Sequence, residues 1–558
     1  MNRKIMAVGY VWLMVLLLLG ASRPNVVVIT ASNLGYSDLG CYGGEIQTPV
    51  LDALAAEGMQ LTQFYSCGES THTQTSLMTG QAPHRVGLGL PRRDLKWESY
   101  RGELTDATAT LGEFFQHAGY RTMAVGKWSF TEHFEANKST INSARSRGFD
   151  RFYGSNLAQT SYFEPKGLQL DSRAFQVEKD FYYTRAIGQE AIRFLEEADE
   201  RGKPFFLYAA FTAPSWPLHA PEEEIRRYAG KYRTGWEVTR MNRFQQLKQK
   251  RLVSSRMLLS PKDERVVDWR NLGQFTTWQA RRMEVYAAQV SAMDRAIGQI
   301  LDQLVKMGAK ENTLVIFLSD AGGNAEELSR NAAAQSVFVS ARQESGQPIR
   351  VGNDPQTMPG SMNTFQSYGV PWANVSNTPF RGYAKTLYEG GLRTPCILRW
   401  PSEIAVGKVS EPVHVIDLFA TLVDVSETAF PRTLNGKRTL RPVGESIRNL
   451  FELDSRLEIT MAEERTERYF FWEFEGNQAV RFGKWKLHRP RGAKEWQLYD
   501  LRKDPTETKD VYSQFQYEPE IEEMLSQLEI WKKSNGVYEW SKVKARYQKI
   551  QSLKKEKR

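Results

Sequence analysis

The chain is poor in the residues that staple or chelate. It has three cysteines, Cys41, Cys67 and Cys396, in 558 residues, too few and too scattered for a disulfide framework. No Cys-x-x-Cys and no His-Glu-x-x-His occurs, which argues against thiolate and zincin metal sites. Beyond the first 22 residues there is no apolar run long enough for a membrane span, and no internal repeat is evident. What remains is a globular composition, 41% apolar and 25% charged, on a chain long enough for one large domain and a smaller one. The formal net charge of +9 suits an anionic partner such as a polysaccharide or phospholipid. The basic residues are spread along the chain, with part of the excess in the terminal "KKEKR", so no specific nucleic-acid partner is expected.

The first 22 residues carry the clearest local signal. "MNRK" is a basic leader, "IMAVGYVWLMVLLLLG" an apolar segment, and Gly20-Ala21-Ser22 a small-residue cleavage site. The expectation is an exported protein, periplasmic or secreted. An uncleaved segment would instead anchor it to the membrane.

Downstream, "NVVVIT" (residues 25–30) is a continuous β-branched run, as in a strand buried on both faces. "TPVLDALAAEGM" places Thr48 as N-cap and Pro49 at the first helical position. The helix-then-strand order repeats in "TATLGEFFQHAGY" and "RTMAVGKW", and again in "RAIGQEAIRFLEEA" and "PFFLYAAF". Val290, Met293, Ile297, Leu301 and Leu304 mark the longest helix, over 283–308, before the strand "TLVIFLSD". This alternation predicts an α/β fold, a large mostly parallel sheet flanked by helices. Ligands of such sheets sit at the carboxyl ends of the strands, so "TASN", "GKWS" and "SDAG" should converge on one crevice. Residues 228–280 and 322–380 read as excursions. The late segments "RYFFWEF", "QAVRFGKWKLH" and "EWQLYDL" predict antiparallel strands of a smaller C-terminal α+β subdomain. The boundaries expected are 1–22 for the signal peptide, 23–430 for the α/β domain, 431–540 for the subdomain and 541–558 for a basic tail.

The block "RPNVVVITASNLGYSDLGCYGGEIQTPVLDALAAEGM" resembles the start of the sulfatase family. The likeness continues through "LMTGQAPHRVG", "AVGKWSF", "FFLYAAFTAPSWPLHAP", "NTLVIFLSDAGG", "RGYAKTLYEGGLRTP" and "LYDLRKDPTETKDV", in family order. In layout it is similar to bacterial arylsulfatases of the alkaline-phosphatase-type fold. The resemblance implies hydrolysis of sulfate esters by a formylglycine made from Cys or Ser, with one Ca²⁺ on acidic and amide side chains. One hydroxyl of the hydrated aldehyde attacks sulfur, and the other expels sulfate by reforming the aldehyde. An unmodified serine lacks that exit. The paired zinc sites of related phosphatases, built from Asp and His sets, have no counterpart here.

Carried over position by position, the chemistry is depleted. Counting back from "LMTG" places Ser70 at the nucleophile, with His72 and Gln74 where the family has the proline or alanine and the arginine that direct maturation. Cys67 lies three residues too early to substitute. The acidic pair after the first strand is Ser32-Asn33, and the later Asp-Asn pair is Asp320-Ala321, leaving Asp320 and Asn33 as the candidate cation ligands. Ca²⁺ prefers several oxygens with carboxylates among them, so no high-affinity calcium site and no other cofactor are expected; weak cation binding and a plain strand-end role for Asp320 both stay open. Lys127 is kept, as a sulfate-neutralising group or as a salt-bridged scaffold residue. Two family histidines are replaced by Ser129 and Ser215, and a lysine by Ala384, with Lys385 one position out of register. Replacement chemistry is a further option: Ser70, Ser129 and Ser215 could converge in one pocket with His72 and His219 nearby, and Ser70 with His72 could form a dyad. Ser70 itself is predicted at a helix N-terminus with free N–H groups facing the crevice.

Three readings follow. The first is an exported pseudo-sulfatase without formylglycine, binding sulfated or other anionic ligands. The second is an active sulfuric ester hydrolase using serine-derived formylglycine. The third is a non-catalytic scaffold for an active paralogue. Sequence leaves the oligomeric state undetermined.

Overall fold

The computed structural model describes residues 23–130, 142–157, 159–332, 339, 341–434, 436–452 and 467–556. The expected signal segment, residues 1–22, lies outside the described residues.

The β-branched run forms β1, Asn25–Ser32, the middle of a ten-stranded sheet. The other strands are β2 (Met59–Leu61), β3 (Arg121–Lys127), β4 (Arg151–Ser155), β5 (Leu168–Leu170), β6 (Arg173–Ala174), β7 (Phe205–Pro214), β8 (Thr313–Ser319), β9 (Cys396–Arg399) and β10 (Gly407–Val409). Their spatial order is β10-β2-β9-β8-β1-β7-β3-β4-β5-β6. The central block β8-β1-β7-β3-β4 is parallel throughout. Antiparallel pairings at β8–β9, β9–β2, β4–β5 and β5–β6 flank it. In register, Val27 of β1 lies between Leu207 and Val315.

Alternation along β1 feeds two separate cores, as side chains of period two require. Val27, Ile29 and Ala31 join the cluster that holds Val290, Met293, Ile297 and Leu304. Val26 and Val28 join the one that holds Leu77, Met78, Phe115 and Phe419. The first face is covered by α1 (Pro49–Ala56), α4 (Tyr183–Asp199) and α6 (Thr276–Lys306). The second is covered by α2 (Ser70–Thr79), α3 (Leu111–His117) and α8 (Val415–Val425). Helix α3 starts with the full capping box of Thr110 and Glu113. Within the expected excursions the chain forms α5 (Trp236–Gln249) and α7 (Gly369–Ser376). Helix α6 begins at Thr276, upstream of the apolar stripe that predicts 283. Its added turn buries Arg282, whose Nε donates to Ser367 O at 2.8 Å and whose guanidinium lies 4.4 Å from the Trp278 ring centroid.

The late aromatic segments form a four-stranded antiparallel sheet in chain order, β11 (Tyr469–Phe474), β12 (Asn477–Phe482), β13 (Trp485–Arg489) and β14 (Gln497–Asp500). Helix α9 (Glu518–Asn535) packs on one face through Met524 and Leu528. The other face seats Phe470, Trp472 and Ala479 against Tyr65, Leu387 and Leu392 of the larger domain. A buried ion triad completes that contact: Lys486 Nζ lies 2.8 Å from both Glu389 and Glu507, with all three side chains at 0% exposure. The stretch expected as a tail is helical, α10 (Trp540–Glu556), with Val543 against Leu90, Leu95 and Tyr100.

Candidate functional site

The expected crevice is a hydrogen-bonded cluster at the carboxyl ends of the parallel strands. Ser32 ends β1, Lys127 ends β3, Asp320 follows β8 and Ser215 follows β7. Because these strands run in one direction, their last residues meet, and α2 delivers Ser70 to the same point. Ser70 is the first residue of α2, as predicted.

Lys127 occupies the middle. Its Nζ donates to Ser70 Oγ at 2.7 Å, to Asp320 Oδ2 at 2.8 Å and to Ser32 Oγ at 2.9 Å. An ammonium has three protons, so every one is placed. Asp320 Oδ2 also accepts from Ser70 Oγ at 2.6 Å and Gln74 Nε2 at 3.1 Å, and Oδ1 accepts from Asn33 N at 3.0 Å. Four donors on one carboxylate use about all its lone-pair directions. The Lys127 and Asp320 side chains are both 0% exposed, and their charges cancel. Asn33 adopts a left-handed φ of 59°, a conformation that asparagine tolerates better than most side chains. Its Oδ1 accepts from Ser215 Oγ at 3.2 Å.

The other replaced positions take no part in this network. Ser129 is buried, and its Oγ has no hydrogen-bond partner. Ala384 is held by its backbone N–H to Gly323 O at 3.2 Å. Lys385 has a φ of 69°, and its Nζ lies 3.3 Å from Glu326. Cys67 is buried, with its thiol pushed up to about 12 by desolvation, and its Sγ lies 3.4 Å from Ser76 Oγ.

Ser70 pairs with neither histidine, its Oγ lying between Asp320 Oδ2 and Lys127 Nζ. Residues two apart on a helix point in opposing directions. His72 therefore packs edge-on against His84 and Phe474, where burial drives its pKa down to about 3. His219 is likewise structural, with Nε2 at 2.6 Å from Thr364 O.

The helix N-terminus corrects a second expectation. Instead of presenting free N–H groups, α2 is capped by Glu69, whose Oε2 accepts from His72 N at 2.9 Å. Burial raises the Glu69 pKa, opposed by the backbone donors and by Lys385. The sequence reading of this helix start does not include the Glu69 carboxylate. It also treated Ser32 as a vacated position, whereas its hydroxyl is one of the three acceptors of Lys127. The signal available was that two polar residues flanking a retained lysine can satisfy it.

The cluster does not fit calcium. Ca²⁺ takes about six to eight oxygens at about 2.3–2.6 Å, whereas the single carboxylate here already faces an ammonium. Among the described residues no group of three His, Cys, Asp or Glu side chains is placed to hold a metal ion. Beside the cluster lies a narrow crevice lined by Asn33, Ser215, Trp216, Tyr286, Asn324 and Tyr368.

Comparison with known proteins agrees with this architecture. The family model described as Sulfatase matches residues 24–428, and the one described as N-sulphoglucosamine sulphohydrolase, C-terminal, matches residues 382–534. An uncharacterized sulfatase of Schizosaccharomyces pombe is 31% identical over 524 residues, covering 88% of this chain and 90% of that protein. An arylsulfatase of Klebsiella aerogenes is 32% identical over 446 residues, covering 76% and 91%. Among solved structures, Ps i-CgsB superposes with a TM-score of 0.65 at 21% identity, covering 95% of this chain and 98% of that one. BT4656 in complex with its substrate D-glucosamine-2-N,6-O-disulfate superposes at 0.59 and 22% identity, covering 92% and 98%.

Proposed function

The chain belongs to the sulfatase family, and we propose that it is a pseudo-sulfatase, exported and specialised for holding sulfated or other anionic ligands rather than cleaving them. One observation carries the proposal: the ammonium of Lys127 is fully engaged by Ser70, Asp320 and Ser32 in a buried, charge-neutral cluster. The family resemblance implies a hydrated aldehyde and a cation among these groups, whereas here Ser70, Asp320 and Lys127 satisfy one another directly.

Chemistry supports the same conclusion. Ser70 as a plain alcohol could form a sulfate ester but has no second hydroxyl with which to expel it. The residues that would protonate a leaving oxygen are Ser129 and Ser215. Losing a general acid costs about 10²–10⁴-fold in rate, and losing a preorganised charge stabiliser about 10²–10³-fold. The net charge of +9 supports an anionic ligand, and BT4656 in the same fold has a disulfated sugar as substrate. Among the described residues no helix is long and apolar enough to cross a membrane.

The test is peptide mass spectrometry on the purified protein. The peptide containing Ser70 is expected at the mass of serine. A peptide lighter by two hydrogen atoms is formylglycine and overturns the proposal. So does aryl sulfate hydrolysis that Ser70→Ala abolishes. Either result would establish the alternative of a working serine-type sulfatase, which the serine at the convertible position keeps open.

A further inference from the structure

Helix α10 has a composition that the central cluster does not account for. From Trp540 to Leu553 it carries Lys542, Lys544, Arg546 and Lys549 and no acidic residue. It docks on the loop "PRRDLKW", residues 91–97, which is about 440 positions distant in sequence and also basic. Two independent cationic segments are thus brought side by side.

The docking is specific. Val543 is buried against Leu90, Leu95 and Tyr100. Arg546 Nε donates to Leu95 O at 3.0 Å, and its guanidinium lies 5.8 Å from the Trp97 ring centroid. From the loop side, Arg93 lies 4.6 Å from the centroid of Tyr547. Lys542, Arg546 and Lys549 fall at i, i+4 and i+7, one stripe along the edge of the docked face. Lys542 and Lys549 are exposed, as is Arg93. Asp94 is paired with Lys96, and Glu539 forms its ion pair with Lys532 while also feeling the charge of Lys542. Within the patch Trp97 and Tyr538 pack at a tilt of 40° with centroids 4.6 Å apart, and Tyr538 is 43% exposed. Exposed cations beside a partly exposed aromatic pair match a ligand with anionic groups on rings.

We propose that the surface formed by α10 and the 91–97 loop is the docking site for a sulfated polysaccharide, with Arg93, Lys542, Arg546 and Lys549 facing sulfate groups and Trp97 with Tyr538 facing sugar rings. It rests on the reading above that the ligand is sulfated. The surface lies outside the central cluster, so binding needs neither calcium nor a modified Ser70.

The full-length protein is passed over immobilised dextran sulfate and over unsulfated dextran, with elution by salt. The wild type is expected to be retained by the sulfated resin alone. The double variant Lys542→Glu/Lys549→Glu, melting at the wild-type temperature, should lose affinity by at least about tenfold, because binding to a polyanion rises steeply with each cation engaged. Tyr538→Ala should weaken retention on dextran sulfate and leave retention on ringless polyvinyl sulfate unchanged. Retention of the double variant equal to wild type overturns this site while leaving a sulfated ligand elsewhere. Failure of the wild type to bind either sulfated polymer overturns the ligand class itself. Equal retention on duplex DNA, or an equal effect of Tyr538→Ala on both sulfated polymers, overturns the sugar reading.

Discussion

Neutralising one member of the Lys127–Asp320 pair should be far worse than neutralising both. The atoms are 2.8 Å apart with no solvent exposure on either side chain. At an effective dielectric constant of about 20 the attraction is about 6 kcal/mol, opposed by a desolvation penalty of several kcal/mol per ion. The pair as a whole is therefore near balance, and the large cost appears when one charge is left alone, about 3–5 kcal/mol. The structure further predicts an asymmetry between the two single variants. Lys127→Met leaves a carboxylate that still accepts from Ser70, Gln74 and Asn33 N, placing it at about 3 kcal/mol. Asp320→Asn leaves an ammonium with the Ser32 and Ser70 hydroxyls but no counter-ion, placing it nearer about 5 kcal/mol. The double variant removes both charges and should lose less than either single one, about 1–2 kcal/mol.

Urea unfolding of the four proteins closes the cycle, with the midpoint and slope read separately. A double variant as destabilised as the sum of the singles would show that the charges act independently and would refute the closed cluster. Two singles each under about 1 kcal/mol would refute it differently. They would mean that water or a bound ion compensates the orphaned charge, and hence that the site is open.

Calcium should be inert: millimolar Ca²⁺ against a chelator is expected to leave the melting temperature within about 1 °C, whereas a ligand at one hundred times its Kd would add about 2.7 kcal/mol. Burial holds His72 and His414 down to about 3 and His219 down to about 4. Their neutral forms therefore stabilise the fold fully above about pH 6.5 and lose that effect as pH falls toward the folded values, each by about 2 kcal/mol at pH 5. His219→Gln should flatten the urea midpoint between pH 7 and pH 5 relative to wild type, and an unchanged slope would contradict the assignment. Lys486→Met leaves Glu389 and Glu507 facing each other without their cation, at a cost of about 3–5 kcal/mol. Limited proteolysis should then release the C-terminal sheet, and an unchanged digestion pattern would rule that out. Glu69→Ala removes the cap of α2, worth about 1 kcal/mol, and exposes the His72 N–H. Sulfate should raise the melting temperature of this variant and leave wild type unmoved, an expectation that fails if both respond alike.

Much of the scaffold could be read from local pattern. A β-branched run became the central strand, the apolar stripe from Val290 to Leu304 lies within α6, and the aromatic segments near the C-terminus paired as antiparallel strands. Convergence of the strand ends followed from parallel topology alone, which is why Ser32, Lys127 and Asp320 could be placed together from a sequence that separates them by up to 288 positions. The pairings within the site were not legible. The Ser70–Asp320 hydrogen bond spans 250 residues, and nothing local tells whether a retained lysine faces a ligand or a neighbouring carboxylate. Glu69 was missed for a related reason. Its role depends on which residue turns the chain into α2, and a run of Ser and Thr offers several equivalent starts.

The two site positions that keep their charge, Lys127 and Asp320, are the two that neutralise each other. Burial alone favours such a pairing, because a buried charge without a partner is costly. In a cleft that loses its cation, a carboxylate cluster is intolerable, because like charges at close range in a poorly solvated space cannot all stay ionised. With Ser and Asn at 32 and 33 that repulsion is absent. Lys127 rests on the Asp320 carboxylate, with the hydroxyl of Ser32 as its third acceptor. The same reasoning applies to the anion side, where Glu69 satisfies a helix N-terminus that would otherwise call for a bound ligand. Once each charge is answered from within the chain, either retained residue can be lost only together with its partner. The pair thereby marks a site whose electrostatic balance is internal.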